Sequence, residues 1–323
     1  MDDFGIIIAC CPQDYLFTKG CCESIRYFLG DVPICLIVDG RVDTRDLEAT
    51  YGVQILDKTS VKNEFLRQHS FGWGITKMIA FFESPWEQFL FLDSDTNIWG
   101  NVLAYANFDR YDAIIDRHSH VHSVAEVNEF FFDTRLMATH FPEFPWRSYQ
   151  DHYFCTGTFF ARRGIFSLEE YRTILELTDA LPRLFPYGGE MGFLNFMFCR
   201  AAHEGRLRLG QADLQVICVD FSRQQLQQRF PMGPQGPLAD QTPAAVIHWP
   251  GRKPFFRSPR THTAPMDYCR LRALQQSKGI KGTIATRRLR LEDGRTRVLI
   301  YRNKVLRKLG DLRRTITKRG IKK

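Results

Sequence analysis

The run Phe89-Leu90-Phe91-Leu92 reads as a buried strand, and it delivers Asp93-Ser94-Asp95-Thr96-Asn97-Ile98 to its C-terminal end. Strand alternation points Asp93 and Asp95 to one side and Ser94 to the other. Two carboxylates so placed seat a hard divalent cation. Mg²⁺ or Mn²⁺ favours oxygen ligands and takes one or two protein carboxylates, leaving its other positions to water and substrate phosphates. The same spacing also arises as turn chemistry, where Asp and Asn accept backbone hydrogen bonds.

The surrounding pattern decides where such a strand sits. Phe4 to Cys10 and Val32 to Val38 are short apolar runs separated by a helix-like segment, Cys22 to Leu29, which together predict a βαβ unit with strands covered on both faces. Further strands are predicted at Val53 to Leu56, Tyr111 to Asp116, Thr156 to Ala161, Leu214 to Val219 and Ala244 to Trp249. Helices are predicted at Ile75 to Phe82, stopped by Pro85, at Ser167 to Ala180 with a Ser167/Glu170 capping box, and at Met191 to Cys199. Pro231 to Pro243 holds four Pro and two Gly and reads as a surface loop. The fold class is α/β, an open, mostly parallel twisted sheet with helices on both faces. Ligands in such sheets bind outside the carboxyl ends of the strands, where Asp93 and Asp95 stand.

The net charge of +8 hides an asymmetry: residues 270–323 hold 19 Lys or Arg against three acids, which leaves residues 1–269 at −8. The division expected is a body, residues 1–256, and a basic C-terminal extension, residues 257–323. In the extension Val298, Val305, Leu309, Leu312 and Ile316 recur at helical spacing among Arg and Lys, with Gly310 as an interruption. A basic amphipathic helix meets an anionic membrane surface; a solvated extension or a helix packed on the acidic body is the alternative. Nucleic acid is not an expected partner, since no aromatic-basic motif accompanies the charge. Nine cysteines without a Cys/His zinc spacing, an odd count, and no basic-plus-apolar leader point to free thiols and a cytoplasmic location, peripheral at the inner face of a membrane if the tail binds there. No run is long enough to cross a bilayer.

A second constellation, His248-Trp249-Pro250-Gly251-Arg252-Lys253-Pro254-Phe255, ends the last predicted strand. An imidazole can complete a metal site begun by two carboxylates, and a lysine can neutralise a diphosphate. A lone histidine there is also compatible with an ordinary hydrogen-bonded residue. His118, His120 and His122 alternate like a metal-binding strand face but stand in a polar segment, and read as exposed loop histidines.

Taken in order, these pieces resemble the GT-A glycosyltransferases, especially the glycogenin-like and galactosyltransferase-like members of glycosyltransferase family 8. The resemblance covers roughly residues 4–256. It includes Thr76-Lys77-Met78-Ile79-Ala80-Phe81, Phe154-Cys155-Thr156-Gly157 and Glu190-Met191-Gly192-Phe193-Leu194-Asn195. It implies Mn²⁺ or Mg²⁺ held by Asp93, Asp95 and His248. It implies a nucleotide-sugar donor, UDP-linked, bound by Ala9, Cys10, Tyr15, Asp39, Lys77, Ser94, Gly251 and Lys253. Glu190, Lys77 and Asp116 become the candidate catalytic residues, Asp116 through the donor sugar or a basic side chain, and the acceptor is a glycan, glycolipid or protein.

This chain departs from the family pattern in four places. Phe255 replaces a Trp, and one residue is missing between Gly251 and Lys253. Cys155 stands for a sugar-contacting Asn. Glu190 and Met191 stand for Asp-Gln, which leaves the anomeric outcome open and offers Glu190 as the general base of an inverting displacement. A non-catalytic nucleotide-sugar or glycan-binding module is the alternative. A nucleotidyltransferase would be expected to carry a Gly-rich basic loop after the first strand, and Cys11-Pro12-Gln13-Asp14 is not one.

Overall fold

The computed structural model describes residues 3–72, 75–186 and 189–320. The first half runs β1 (Phe4–Cys10), α1 (Tyr15–Leu29), β2 (Ile34–Val38), α2 (Arg45–Tyr51), β3 (Gln54–Asp57), α3 (Glu64–His69), α4 (Met78–Glu83), β4 (Gln88–Asp93) and β5 (Thr96–Trp99). It continues with β6 (Ala113–Asp116), α5 (Val124–Glu126), α6 (Thr134–His140), β7 (Thr158–Arg162), α7 (Leu168–Ala180), α8 (Glu190–His203), β8 (Leu209–Ala212) and β9 (Gln215–Ile217). Last come α9 (Arg223–Arg229), the small ladder β10 (Met232–Gly233) and β11 (Gly236–Pro237), β12 (Ala245–His248), α10 (Ala264–Lys278) and α11 (Gly282–Gly320).

Seven strands form one sheet in the order β3-β2-β1-β4-β7-β6-β8, parallel throughout except that β7 opposes both β4 and β6. The predicted α/β sheet with helices on both faces is the one that forms. The reversal at β7 has no local signature, because a strand buried on both faces reads the same in either direction. β4 shows the layering: Phe89 and Phe91 enter the core under α4, α7 and α8, while Leu90 and Leu92 enter the core under α1 and α2. Phe159 of β7 stacks on Phe91 at 4.9 Å and on Phe81 at 5.6 Å, so aromatic surface welds α4 to the strand that carries the carboxylates.

Several predicted elements change at their ends. The helix expected at Cys22 begins at Tyr15, and Gly20 does not break it. A Cβ at Gly20 would lie 2.4 Å from Met266 Sδ, so this glycine serves the close approach of α10 to α1. Ser167 caps α7 through the Glu170 N–H, but the Glu170 carboxylate turns to Arg206 at 2.9 Å, so the box is half made. The strand expected at Leu214 to Val219 shrinks to β9. With β5 and β12 it forms a separate three-stranded sheet, β5-β12-β9.

The basic extension is not uniformly solvated. Met266, Cys269 and Arg270 of α10 are buried against the body, and Arg272 reaches the fully buried Glu23 of α1 at 2.7 Å. Arg270, 1% exposed, pairs with Asp293 at 2.8 Å, and the other Asp293 oxygen accepts the Phe256 N–H. The backbone of α11 passes Gly310 without interruption. Of the predicted amphipathic face, Val298 and Val305 are exposed, whereas Leu309, Leu312 and Ile316 have side chains outside the described residues. No helix among the described residues is long and apolar enough to cross a membrane.

Candidate active site

Asp93 closes β4 in the large sheet, and Thr96 opens β5 in the small one, so Ser94 and Asp95 form a turn between two sheets. Each side of the turn is pinned by a backbone bond: the Asp93 N–H donates to Gly157 O at 2.8 Å, and the Trp249 N–H donates to Asp95 O at 3.1 Å. This replaces the alternation argument. Asp95 reaches the side of Asp93 through the turn, and Ser94 also borders the cleft rather than pointing away from it. Opposite Thr96 in the ladder stands His248. As a result one ligand atom from each of Asp93, Asp95 and His248 lies within 4.8 Å of the others.

The imidazole is aimed. His248 Nδ1 lies 3.1 Å from Gln215 Oε1, so it donates there, and Nε2 faces Asp95 at 3.5 Å and Asp93 at 3.8 Å. A ring whose far N–H is held by an oxygen is the usual support of a histidine ligand. Gly157 leaves room for it, since a Cβ there would fall 2.2 Å from His248 Cε1. Two carboxylates and one oriented imidazole suit Mg²⁺ or Mn²⁺, with positions left for water and phosphate.

Two lysines, Lys77 buried and Lys253 half-buried, balance the acids. Lys77 Nζ lies 3.1 Å from Asp93, 2.7 Å from Glu190 and 3.0 Å from the Thr156 carbonyl, above the face of Phe91. Lys253 Nζ lies 2.8 Å from Asp95 and 2.9 Å from Asp14. Burial alone would raise the pKa of Asp95, but Lys253 and His248 overcome it and hold the carboxyl far below the usual range. Burial works against the charged His248, yet Cys155 and Asp95 drive its pKa up to about 10. A metal ion would compete with that proton for the same nitrogen.

All of this borders one cleft of about 710 Å³. Ala9, Cys10, Asp39, Lys77, Ser94, Glu190, Gly251 and Lys253 line it with the metal-site trio. Asp39 is held in place by the Gly72 N–H at 2.8 Å and the Thr76 hydroxyl at 3.0 Å. Two candidates lie elsewhere. Tyr15 does not line the cleft, and its hydroxyl donates to Asp43 O. Asp116 is buried behind it, accepting the N–H groups of Leu214 at 2.9 Å and Gln215 at 3.0 Å. It orients the strand that carries Gln215, and so acts on His248 at second hand.

Sequence reasoning missed Asp14, whose position at the end of the turn after β1 was its signal. It also missed Leu299, Arg302 and Asn303, which α11 brings to the cleft rim from the far end of the chain. No local pattern marks them.

No protein-family model and no curated protein matches the sequence. Solved structures do match in shape. An active-site mutant of LgtC aligns with TM-score 0.51 at 13% identity, over 86% of this chain and 97% of that one. GlyE of Streptococcus pneumoniae TIGR4, a glycosyltransferase, aligns with TM-score 0.51 at 11% identity, over 90% of this chain and 64% of its own. The WbbM bifunctional glycosyltransferase aligns with TM-score 0.50 at 12% identity, over 85% of this chain. This chain spans half the length of WbbM and about two-thirds of GlyE. The fold is the GT-A fold that these glycosyltransferases share.

Proposed function

We propose that this chain is a metal-dependent glycosyltransferase that moves a sugar from a nucleotide sugar, UDP-linked, to a glycan, glycolipid or protein acceptor. The observation that carries the reading is the convergence of Asp93, Asp95 and His248 with Lys77, Lys253 and Glu190 in one cleft at the carboxyl edge of a GT-A sheet. A divalent ion held by the first three would supply Lewis-acid stabilisation of the departing diphosphate. Lys253 and Lys77 add positive charge where that negative charge develops. Glu190 takes its bonds from Lys77 and Thr156 on Oε1 alone, and among the described residues Oε2 has no partner. That free oxygen is positioned to accept the proton of an acceptor hydroxyl.

The acceptor side of the reading includes a membrane. Ile284, Leu291, Val298 and Val305 recur every seven residues along α11 and are all exposed, among the cations of the basic segment. An apolar stripe with flanking Arg suits an anionic lipid surface on the cytoplasmic side.

The test is a thermal-shift and hydrolysis panel of UDP-, GDP-, CMP- and dTDP-sugars, with and without Mn²⁺, beside Asp95→Ala. Metal-dependent stabilisation by a UDP-sugar, with slow sugar release lost in the variant, is expected. Stabilisation without turnover under any acceptor would favour the binding-module reading, and no response to any nucleotide would overturn both.

A further inference from the structure

The loop between β6 and α5 carries three histidines that the donor cleft does not use. Their rings pack on one another, His118 to His122 at 4.2 Å, His118 to His120 at 4.4 Å and His120 to His122 at 5.1 Å between centroids. One ring nitrogen from each lies within 4.8 Å of the other two. The exposed-loop reading fails for His122, which is 6% exposed.

The hydrogen bonds say which nitrogens are spare. His122 Nε2 lies 2.9 Å from the Tyr153 carbonyl, which only an N–H can satisfy, so Nδ1 carries the bare lone pair. That Nδ1 is buried and has no partner. A buried acceptor left bare carries an uncompensated desolvation penalty. His120 repeats the pattern, with Nε2 3.1 Å from Glu126 Oε1. Glu126 is itself fixed, its Oε2 accepting the Ser123 N–H and hydroxyl at 2.7 Å each. An imidazole that donates one N–H to a carbonyl or carboxylate and turns its other nitrogen inward is set up as a metal ligand. His118 is the freest of the three, its Nδ1 meeting only a long 3.4 Å approach from the His120 N–H.

We propose that His118, His120 and His122 form a second cation site for a transition metal ion of the Zn²⁺ type, separate from the carboxylate-rich site in the cleft. Imidazole nitrogen suits Zn²⁺, Cu²⁺ and Ni²⁺, whereas Mg²⁺ and Mn²⁺ prefer oxygen. Nitrogens around a tetrahedral Zn²⁺ stand roughly 3.3 Å apart, so the rings must close by up to about 1.5 Å, within reach of side-chain rotation. The loop is already tied to the segment before Cys155. The His122 N–H donates to Gln150 O at 3.0 Å, and the Gln150 amide returns a bond to His122 O at 2.6 Å. An ion on the three rings fixes this loop against residues 150–153, and so stiffens the approach to Cys155 on the cleft wall.

The experiment uses the untagged full chain, stripped with EDTA and titrated with Zn²⁺ alone against a chromophoric chelator. Asp93→Asn/Asp95→Asn serves as a background that disables the cleft site. The expected result is one equivalent of Zn²⁺ in that background. Adding His118→Gln/His120→Gln should cut the affinity at least 100-fold, and Glu126→Gln about 10-fold. His118 and His120 are not buried, and an unchanged zinc-free Tm checks that the variant folds. In the wild type, Co²⁺ in place of Zn²⁺ should give the visible absorption of a four-coordinate nitrogen site, lost in the double histidine variant. No Zn²⁺ in the background variant together with no such Co²⁺ signal, or equal affinity with and without the two histidines, would overturn the site.

Discussion

Lys253 holds Asp95 at 2.8 Å across 158 residues of sequence, and its ammonium bridges from there to Asp14. The two carboxylates are kept together by a cation from the last strand's loop. Lys253→Ala leaves Asp14 without its cation and Asp95 with His248 alone, at a cost of about 3–5 kcal/mol. Mn²⁺ should restore more Tm to this variant than it adds to the wild type, because an ion can take over the charge that the lysine supplied. Calorimetry with and without Mn²⁺ reads the difference, and equal metal responses would count against a cation seat at Asp95.

Glu190 and Lys77 separate binding from chemistry. Glu190→Gln keeps an acceptor for Lys77 and Thr156 but removes the proposed base, so turnover should fall by about 10²–10⁴ while the metal-dependent thermal shift by the donor persists. Loss of both together would make Glu190 a binding residue instead.

Asp116 gives a pH signature. Burial raises its pKa from 3.8 to about 7, against the N–H bonds of Gln215 and Leu214, which lower it. The folded state therefore binds this proton more tightly than the unfolded chain, so stability from this group falls as pH rises from about 4 to 7. Asp116→Asn keeps an oxygen for the two N–H groups without the charge. The variant should match the wild type near pH 4 and exceed it near pH 8 by about 4 kcal/mol in urea unfolding. Full loss of turnover at unchanged stability would instead restore Asp116 to the chemistry.

The Arg270–Asp293 pair fastens the start of the basic extension. Asp293→Ala leaves a guanidinium that is 1% exposed with only Glu292 at 3.9 Å, and should cost about 3–5 kcal/mol, whereas Arg270→Leu with Asp293→Leu should recover most of it. A double-mutant cycle measured by denaturation decides. If the single change is silent, this pair contributes nothing to the fold.

Leu291→Gln with Val298→Gln interrupts the exposed stripe of α11 without touching the cleft-lining Leu299 and Arg302. Flotation with anionic liposomes should drop several-fold, and with neutral liposomes should be negligible for both proteins. Unchanged flotation would remove the membrane from the proposed acceptor side.

The site was legible to the extent that local chemistry marks strand ends. Asp93, Asp95, His248 and Lys253 each stand at or just past an apolar run, and the structure brings them into one cleft. Tyr15 and Asp116 stand in similar places and lie elsewhere, because which side chain turns toward a crevice depends on the neighbouring element. For Asp116 that element is β9, whose two N–H groups claim the carboxylate.

By itself the sequence determined the α/β class, the buried strands and the acidic pair after β4, since burial on both faces imposes uninterrupted apolar runs and leaves polar chemistry to their ends. Tertiary structure alone decided the reversal of β7, the split into two sheets at Ser94–Asp95, the use of Gly20 and Gly157 as clearances, and the arrival of α11 at the cleft. Those outcomes rest on contacts between residues far apart in the chain, whose energies depend on shape and charge across an interface that no local window of sequence contains.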